Sequence, residues 1–146
     1  MTAAPLAIAA DHAGFDLKTS IKTALDERGI EVLDLGPDRP DRIDYPDMAD
    51  KLAQAIRRGE AERGILLCGT GIGIGIAANR HRWIRAATCH DVTTARLARA
   101  HNDANVLSLG ARIIGLQVAL DCIEAFLTTP FEGGRHQRRV AKLGGD

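Results

Sequence analysis

Residues Gly64–Gly75 read GILLCGTGIGIG. The first five are apolar and contain no charge, as a strand covered on both faces requires. The last seven alternate Gly with small or apolar residues, and such a segment favours a tight turn into a helix. A buried strand running straight into a Gly-rich turn and a helix is the repeating unit of a parallel α/β sheet. The same pattern recurs on either side. Upstream, Leu6–Ala10 is an apolar strand followed by Asp11-His12-Ala13-Gly14 and a helix over Phe15 to Arg28. Glu31–Leu35 alternates as a second strand. After a Pro- and Asp-rich loop, Gly36 to Tyr45, a helix begins at Pro46 and ends at Arg58. Downstream, a short helix is expected over Ile74–Asn79 and a strand over Ile84–Cys89. Asp91 is suited to cap a helix over Val92 to Ala100. Val106–Leu109 gives a fifth strand, Leu116 to Leu127 an amphipathic helix, and Arg135 to Lys142 a last basic helix. The expectation is an α/β, three-layer Rossmann-like fold, with a five-stranded parallel sheet and helices on both faces.

The chain has 146 residues, 45% of them hydrophobic, which suits one domain spanning 1–146. Lys plus Arg and Asp plus Glu each number 19. That neutral balance speaks against a nucleic-acid partner. The balance is uneven along the chain, about −6 over residues 1–50 and +6 over 51–146. Three Cys without close spacing, Cys68, Cys89 and Cys122, suit neither a disulfide framework nor a paired-Cys zinc site. The apolar stretch Met1 to Ala10 lacks a basic flank, and the charge-free run Gly64 to Asn79 is too short and Gly-broken to span a membrane. A cytoplasmic protein without membrane contact is expected.

Ligands of open α/β sheets sit beyond the carboxyl ends of the strands. Gly69-Thr70-Gly71-Ile72-Gly73 lies there. Its backbone N–H groups could approach an anion, yet it matches neither G-x-x-x-x-G-K-[ST] nor a strict G-x-G-x-x-G. Cys68 ends the third strand, where it is either a thiol base or a small buried apolar residue. Asp11 and His12 are adjacent ionisable groups at another strand end. His101-Asn102-Asp103-Ala104-Asn105 reads as a turn before the fifth strand, with His101 able to exchange protons near neutral pH. Arg112, Arg135 and Arg139 are candidate phosphate ligands. Arg135 and Arg139 share one helix face, while Arg138 is read as solvated.

Asp11-His12-Ala13-Gly14-Phe15, Asp44-Tyr45-Pro46, Cys68 to Gly73, His101 to Val106, Gly110-Ala111-Arg112 and Glu132-Gly133-Gly134-Arg135-His136 follow one another over nearly the whole chain. In that order they resemble the type B ribose-5-phosphate isomerases, a sugar-phosphate isomerase family that includes allose and galactose phosphate isomerases. The resemblance implies an aldose–ketose isomerase with no metal or organic cofactor, acting on a small phosphorylated sugar. It implies a homodimer or dimer of dimers whose sites draw residues from two chains. By motif, Cys68 would move a proton between C1 and C2, and His101 would assist ring opening. Asp11, His12 and Tyr45 would contact substrate. The Gly69, Thr70, Gly71, Ile72 and Gly73 backbone would bind the enediolate oxygens, and Asn102 a sugar oxygen. Arg112, Arg135 and Arg139, with His12, would bind the phosphate. Some relatives place a Glu where this chain has Ile74, so the chain falls with those that use Cys. Ribose 5-phosphate is the expected substrate. The same chemistry on allose 6-phosphate or a four-carbon sugar phosphate, or a non-catalytic nucleotide- or phosphate-binding module, are the competing readings.

Overall fold

The computed structural model describes residues 4–144. Met1–Ala3 of the apolar amino-terminal stretch, and the last two residues, lie outside them. Five strands, β1 (Leu6–Ala10), β2 (Val32–Asp34), β3 (Arg63–Cys68), β4 (Ala86–Thr88) and β5 (Val106–Gly110), form one parallel sheet in the order β2-β1-β3-β5-β4. Six helices accompany them: α1 (Phe15–Glu27), α2 (Tyr45–Arg57), α3 (Ile72–Ala78), α4 (Val92–Asn102), α5 (Leu116–Thr128) and α6 (Arg135–Leu143).

Alternation along the central strands builds two cores. Leu6, Ile8, Ala10, Ile65, Leu67, Leu107 and Leu109 point to one face and pack against Ile21 and Leu25 of α1, Ala95 of α4 and Ile123 and Phe126 of α5. Ala7, Ala9, Leu66, Cys68 and Val106 point to the other, against Met48 and Leu52 of α2 and Ile74 of α3. The expected three layers are therefore present. Helix α2 comes unusually close to the sheet: a Cβ on Gly64 would lie 2.7 Å from Leu52 Cδ2. Cys68 belongs to the α2–α3 side, which decides which helix can approach its sulfur.

Several element boundaries differ from the sequence reading. Strands β2 and β4 are three residues each, because they are the sheet edges and pair on one side only. Ile84 closes a turn onto His81 instead of joining β4. Cys89 lies one residue past it. Helix α3 starts two residues early, at Ile72, and α2 one residue early, at Tyr45. Helix α4 is capped by Asp91, which accepts from the Thr94 N–H at 2.7 Å as expected, but it runs on through His101 and Asn102. Asp103, in the left-handed region at φ 48°, ends it. That residue is held by ion pairs to Arg99 at 2.8 Å and Arg85 at 3.5 Å. Arg99 belongs to α4 itself while Arg85 comes from elsewhere in the fold, so the turn-forming sequence is only partly used as a turn.

One buried ion pair ties α1 to β2. Lys18 Nζ donates to both oxygens of Asp34 at 2.8 and 3.0 Å, and Lys18 is almost fully buried. Burial alone would raise the Asp34 pKa. Lys18, the Gly36 N–H and Lys22 outweigh it and hold the carboxyl below its ordinary value. A depressed carboxyl stabilises the fold above its unfolded pKa and loses that contribution as pH falls through the folded value. Asp34→Asn is expected to destabilise the protein by roughly 3 kcal/mol at pH 7, since it leaves the Lys18 charge buried and unpaired. In urea unfolding, the gap between variant and parent should narrow as pH falls below about 4. An unchanged gap down to pH 2 would refute this account.

Candidate active site

The chain turns to opposite sides of β1 and β3 as it winds, so a crevice opens between their carboxyl ends. The Asp11 N–H donates to Leu67 O at 3.0 Å and closes the base of this crevice. Asp11 is buried, and its Oδ1 accepts the Gly14 N–H at 3.1 Å. Part of its capacity therefore shapes the turn into α1. His12 accepts the Ile43 N–H on Nδ1 at 3.3 Å. With Nδ1 occupied as an acceptor, the neutral ring carries its proton on Nε2, a ready donor.

Cys68 stands at the end of β3, 5% exposed. Its Sγ accepts the Gly71 N–H at 3.1 Å. Gly71 sits at φ 77°, and a Cβ there would meet the Leu109 carbonyl carbon at 2.8 Å, so both torsion and space require Gly. The Gly71 carbonyl is turned away from the crevice. Thr88 Oγ1 donates to it at 3.2 Å, and Ser108 Oγ gives it a short hydrogen bond. Ser108 lies on the same face of β5 as Gly71, which is why a buried hydroxyl is found in an otherwise apolar strand. Helix α3 begins at the next residue, and its first-turn N–H groups have no partner within the helix. The phenol of Tyr45 covers this turn: a Cβ on Gly73 would lie 2.8 Å from Tyr45 Cζ.

The residues after β5 fasten the loop from the other side. Ala111 N–H donates to Cys68 O and Arg112 N–H to Gly69 O, both at 2.9 Å. The exposed Arg112 guanidinium therefore lies beside Gly69, 3.3 Å from where a Cβ would stand. His90 is a group that sequence reasoning left without a role. Its Nε2 accepts the Gly110 N–H at 2.9 Å and anchors the end of β5 beside the loop. Its position just past β4 was the available signal. Ile74 is fully buried in the core, so no proton-transferring group stands at that position.

The remaining sequence candidates are elsewhere. Helix α4 starts at the carboxyl edge, and its eleven residues carry the chain about 15 Å back. Asn105, three residues past its end, accepts the Gly64 N–H at the start of β3. His101 and Asn102 thus lie at the amino end of the sheet. Arg135 and Arg139, exposed and one turn apart on α6, are there too, since Glu132 N–H donates to Ala100 O at 3.0 Å. One chain brings Asp11, His12, Tyr45, Cys68 to Gly73 and Arg112 together. It does not bring His101, Asn102, Arg135 or Arg139 to them.

A pairing at the amino end was also not foreseen. The His101 and His136 rings stack with centroids 4.5 Å apart, and Glu132 Oε1 lies 3.9 and 3.6 Å from their Nε2 atoms. Potential ligand atoms of these three residues lie within 4.8 Å of one another, a grouping of the type that can hold a metal ion. The expectation of no metal rests on the spacing of Cys and on the family resemblance, and the Cys spacing does not address His and Glu.

The sequence model of the Ribose/Galactose Isomerase family matches residues 6–143. The chain belongs to this family. Membership makes it an aldose–ketose isomerase. Among the relatives of this ribose/galactose isomerase is the ribose-5-phosphate isomerase B of Escherichia coli. It is 49% identical over 138 residues, covering 94% of this chain and 93% of that one. A D-erythrulose-4-phosphate isomerase of Pectobacterium atrosepticum is 48% identical over 140 residues, covering 95% and 92%. The crystal structure of a ribose 5-phosphate isomerase from Thermotoga maritima superposes with a TM-score of 0.95 at 52% identity, covering 98% of this chain and 99% of that chain. The five-stranded fold is thus the fold of the family's solved structures. No helix among the described residues is long and apolar enough to cross a membrane.

Proposed function

We propose that this family member interconverts ribose 5-phosphate and ribulose 5-phosphate through an enediolate, with Cys68 as the base and His101 of a second copy assisting ring opening. The observation that carries the reading is Cys68 Sγ at the mouth of the crevice, accepting the Gly71 N–H beside a turn rich in N–H groups. A thiolate at Cys68 takes the proton from C2 of the open-chain aldose, the C2–H electron pair forms the C1–C2 double bond, and the C1=O π pair moves onto O1 as the enediolate charge. The proton on O2 passes to O1; as O2 forms the new carbonyl, the C1–C2 π pair takes the proton back from the Cys68 thiol at C1, which gives the ketose and restores the thiolate. The α-proton of an aldehyde is weakly acidic, so the base needs help from donors fixed where charge develops. One such donor contributes ~3–4 kcal/mol. The Gly69–Gly73 backbone supplies them, with its carbonyl at Gly71 already held away by Ser108 and Thr88.

The phosphate does not react. Its grip places C1 and C2 against the sulfur. Arg112 and the Nε2–H of His12 serve it from the same chain. Arg135 and Arg139 serve it from a second copy, together with His101 and Asn102, because these four stand at the wrong end of their own sheet. Ile72, Ile76, Val92, Ile113 and Leu116 are exposed apolar residues on the elements around the carboxyl edge. They offer a surface for that second copy. A homodimer, or a dimer of such dimers, then carries two shared sites. The three thiols, all free, suit a reducing compartment such as the cytoplasm.

The substrate is tested with a panel of four-, five- and six-carbon aldose phosphates. The five-carbon sugar is expected to give the highest kcat/KM by about tenfold or more, the range a hydrophobic or hydroxyl mismatch yields. A higher value for erythrose 4-phosphate or allose 6-phosphate would reassign the substrate while keeping the chemistry.

A further inference from the structure

His136 and Glu132 have no part in the mechanism above, yet they surround its ring-opening group. The His101 side chain lies in the last turn of α4 and is 37% exposed. An exposed imidazole on a last helical turn ordinarily exchanges rotamers. Here the His136 ring lies flat against it, the planes 14° apart. His136 is itself buried and sits in the first turn of α6. That turn is fastened beside α4 by Glu132 N–H on Ala100 O. The preceding segment is held by Arg99 Nε on Thr129 O at 3.3 Å. The ring against His101 is therefore mounted on a fixed support.

The stacking favours a positioning role over an ion site at the same three residues. Nearly parallel rings confine their Nε2 lone pairs to two separate, nearly parallel planes, whereas a bound metal lies close to the plane of each imidazole that ligates it. Burial, then the neighbouring His101 and Arg135, hold the His136 imidazole below its ordinary pKa, against the opposing pull of Glu132.

We propose that His136 is a positioning residue for His101, its ring face fixing the plane of the His101 imidazole so that it meets the furanose oxygen of the substrate. The proposal rests on the ring-opening role of His101 given above. A small misplacement of a catalytic group can cost about 10²-fold in rate, so loss of the support should be visible in turnover.

The test compares cyclic with open-chain substrates in the full-length protein. Ribose 5-phosphate is a furanose. Erythrose 4-phosphate and ribulose 5-phosphate lack the free hydroxyl that closes such a ring. His136→Ala is expected to lower kcat on ribose 5-phosphate about tenfold with little change in KM, and to leave both open-chain sugars within about twofold. His136→Phe, which keeps a flat face, is expected to restore most of the loss. Equal losses on cyclic and open-chain sugars, or no rescue by Phe, would overturn the proposal. His101→Ala is run beside them. If it slows all three sugars alike, the ring-opening reading itself fails; if it is selective and His136→Ala is not, only the positioning role fails.

Discussion

Cys68→Ala is expected to abolish isomerisation, by about 10³-fold or more, while the protein still binds a non-reacting sugar-phosphate analogue with near-parental affinity. The two halves of this expectation come from different parts of the site. The sulfur is the proton carrier in the proposed reaction, and no other proton-transferring group replaces it at Ile74, which is buried apolar core. The phosphate contacts are assigned to Arg112, His12 and the arginines of α6, none of which depends on the thiol. Cys68 is 5% exposed and the cavity left by Ala is small, so the fold should survive. Alkylation gives a second readout. Burial raises the Cys89 thiol and pushes Cys122 up to about 11, which leaves both poorly reactive at neutral pH. Cys68 is expected to be the thiol that substrate protects. Near-parental turnover by the Ala variant would remove Cys68 from the mechanism.

The second large effect is a gain. A Cys68→Ala chain and an Arg135→Ala/Arg139→Ala chain are each expected to be inactive as homodimers. Mixed, dissociated and reassembled at equal amounts, they should recover about a quarter of parental activity, since half of random dimers are mixed and each mixed dimer holds one intact site. The expectation follows from the position of the residues. Cys68 ends β3, whereas Arg135 and Arg139 lie beside the end of α4, about 15 Å back along the strand direction. If one chain formed a whole site alone, mixing would restore nothing. Failure to recover activity despite proven mixed dimers would refute the shared site.

Much of the carboxyl-edge half of the site could be read from the sequence because it is local. An apolar strand, a Cys and a run of alternating Gly occupy twelve consecutive positions, Gly64–Gly75, and strand-end rules place them. Asp11, His12 and Arg112 follow from the same rule. The two edge strands are shorter than the sequence reading because neither alternation, as in Glu31–Leu35, nor composition, as in Ile84–Cys89, distinguishes an edge from a centre. The extension of α4 through Asn102 was not legible either: Asp103 takes a left-handed conformation secured by Arg85 and Arg99, one of them 18 residues away. The stacking of His101 on His136 and the anchoring of Gly110 by His90 join residues 35 and 20 positions apart. No periodicity carries such pairs. The segregation of charge, negative early and positive late, gains a partial meaning, since the basic late segment holds all three proposed phosphate-binding arginines.

The proposed separation of the two half-sites has a consequence for the chain in solution. In that arrangement each copy lends one end to its own catalytic pocket and the other end to its neighbour's, so that encounter, and not folding alone, yields a competent enzyme. Specific activity should fall when the protein is diluted below its own dissociation constant, and the catalyst would act as a sensor of its own abundance.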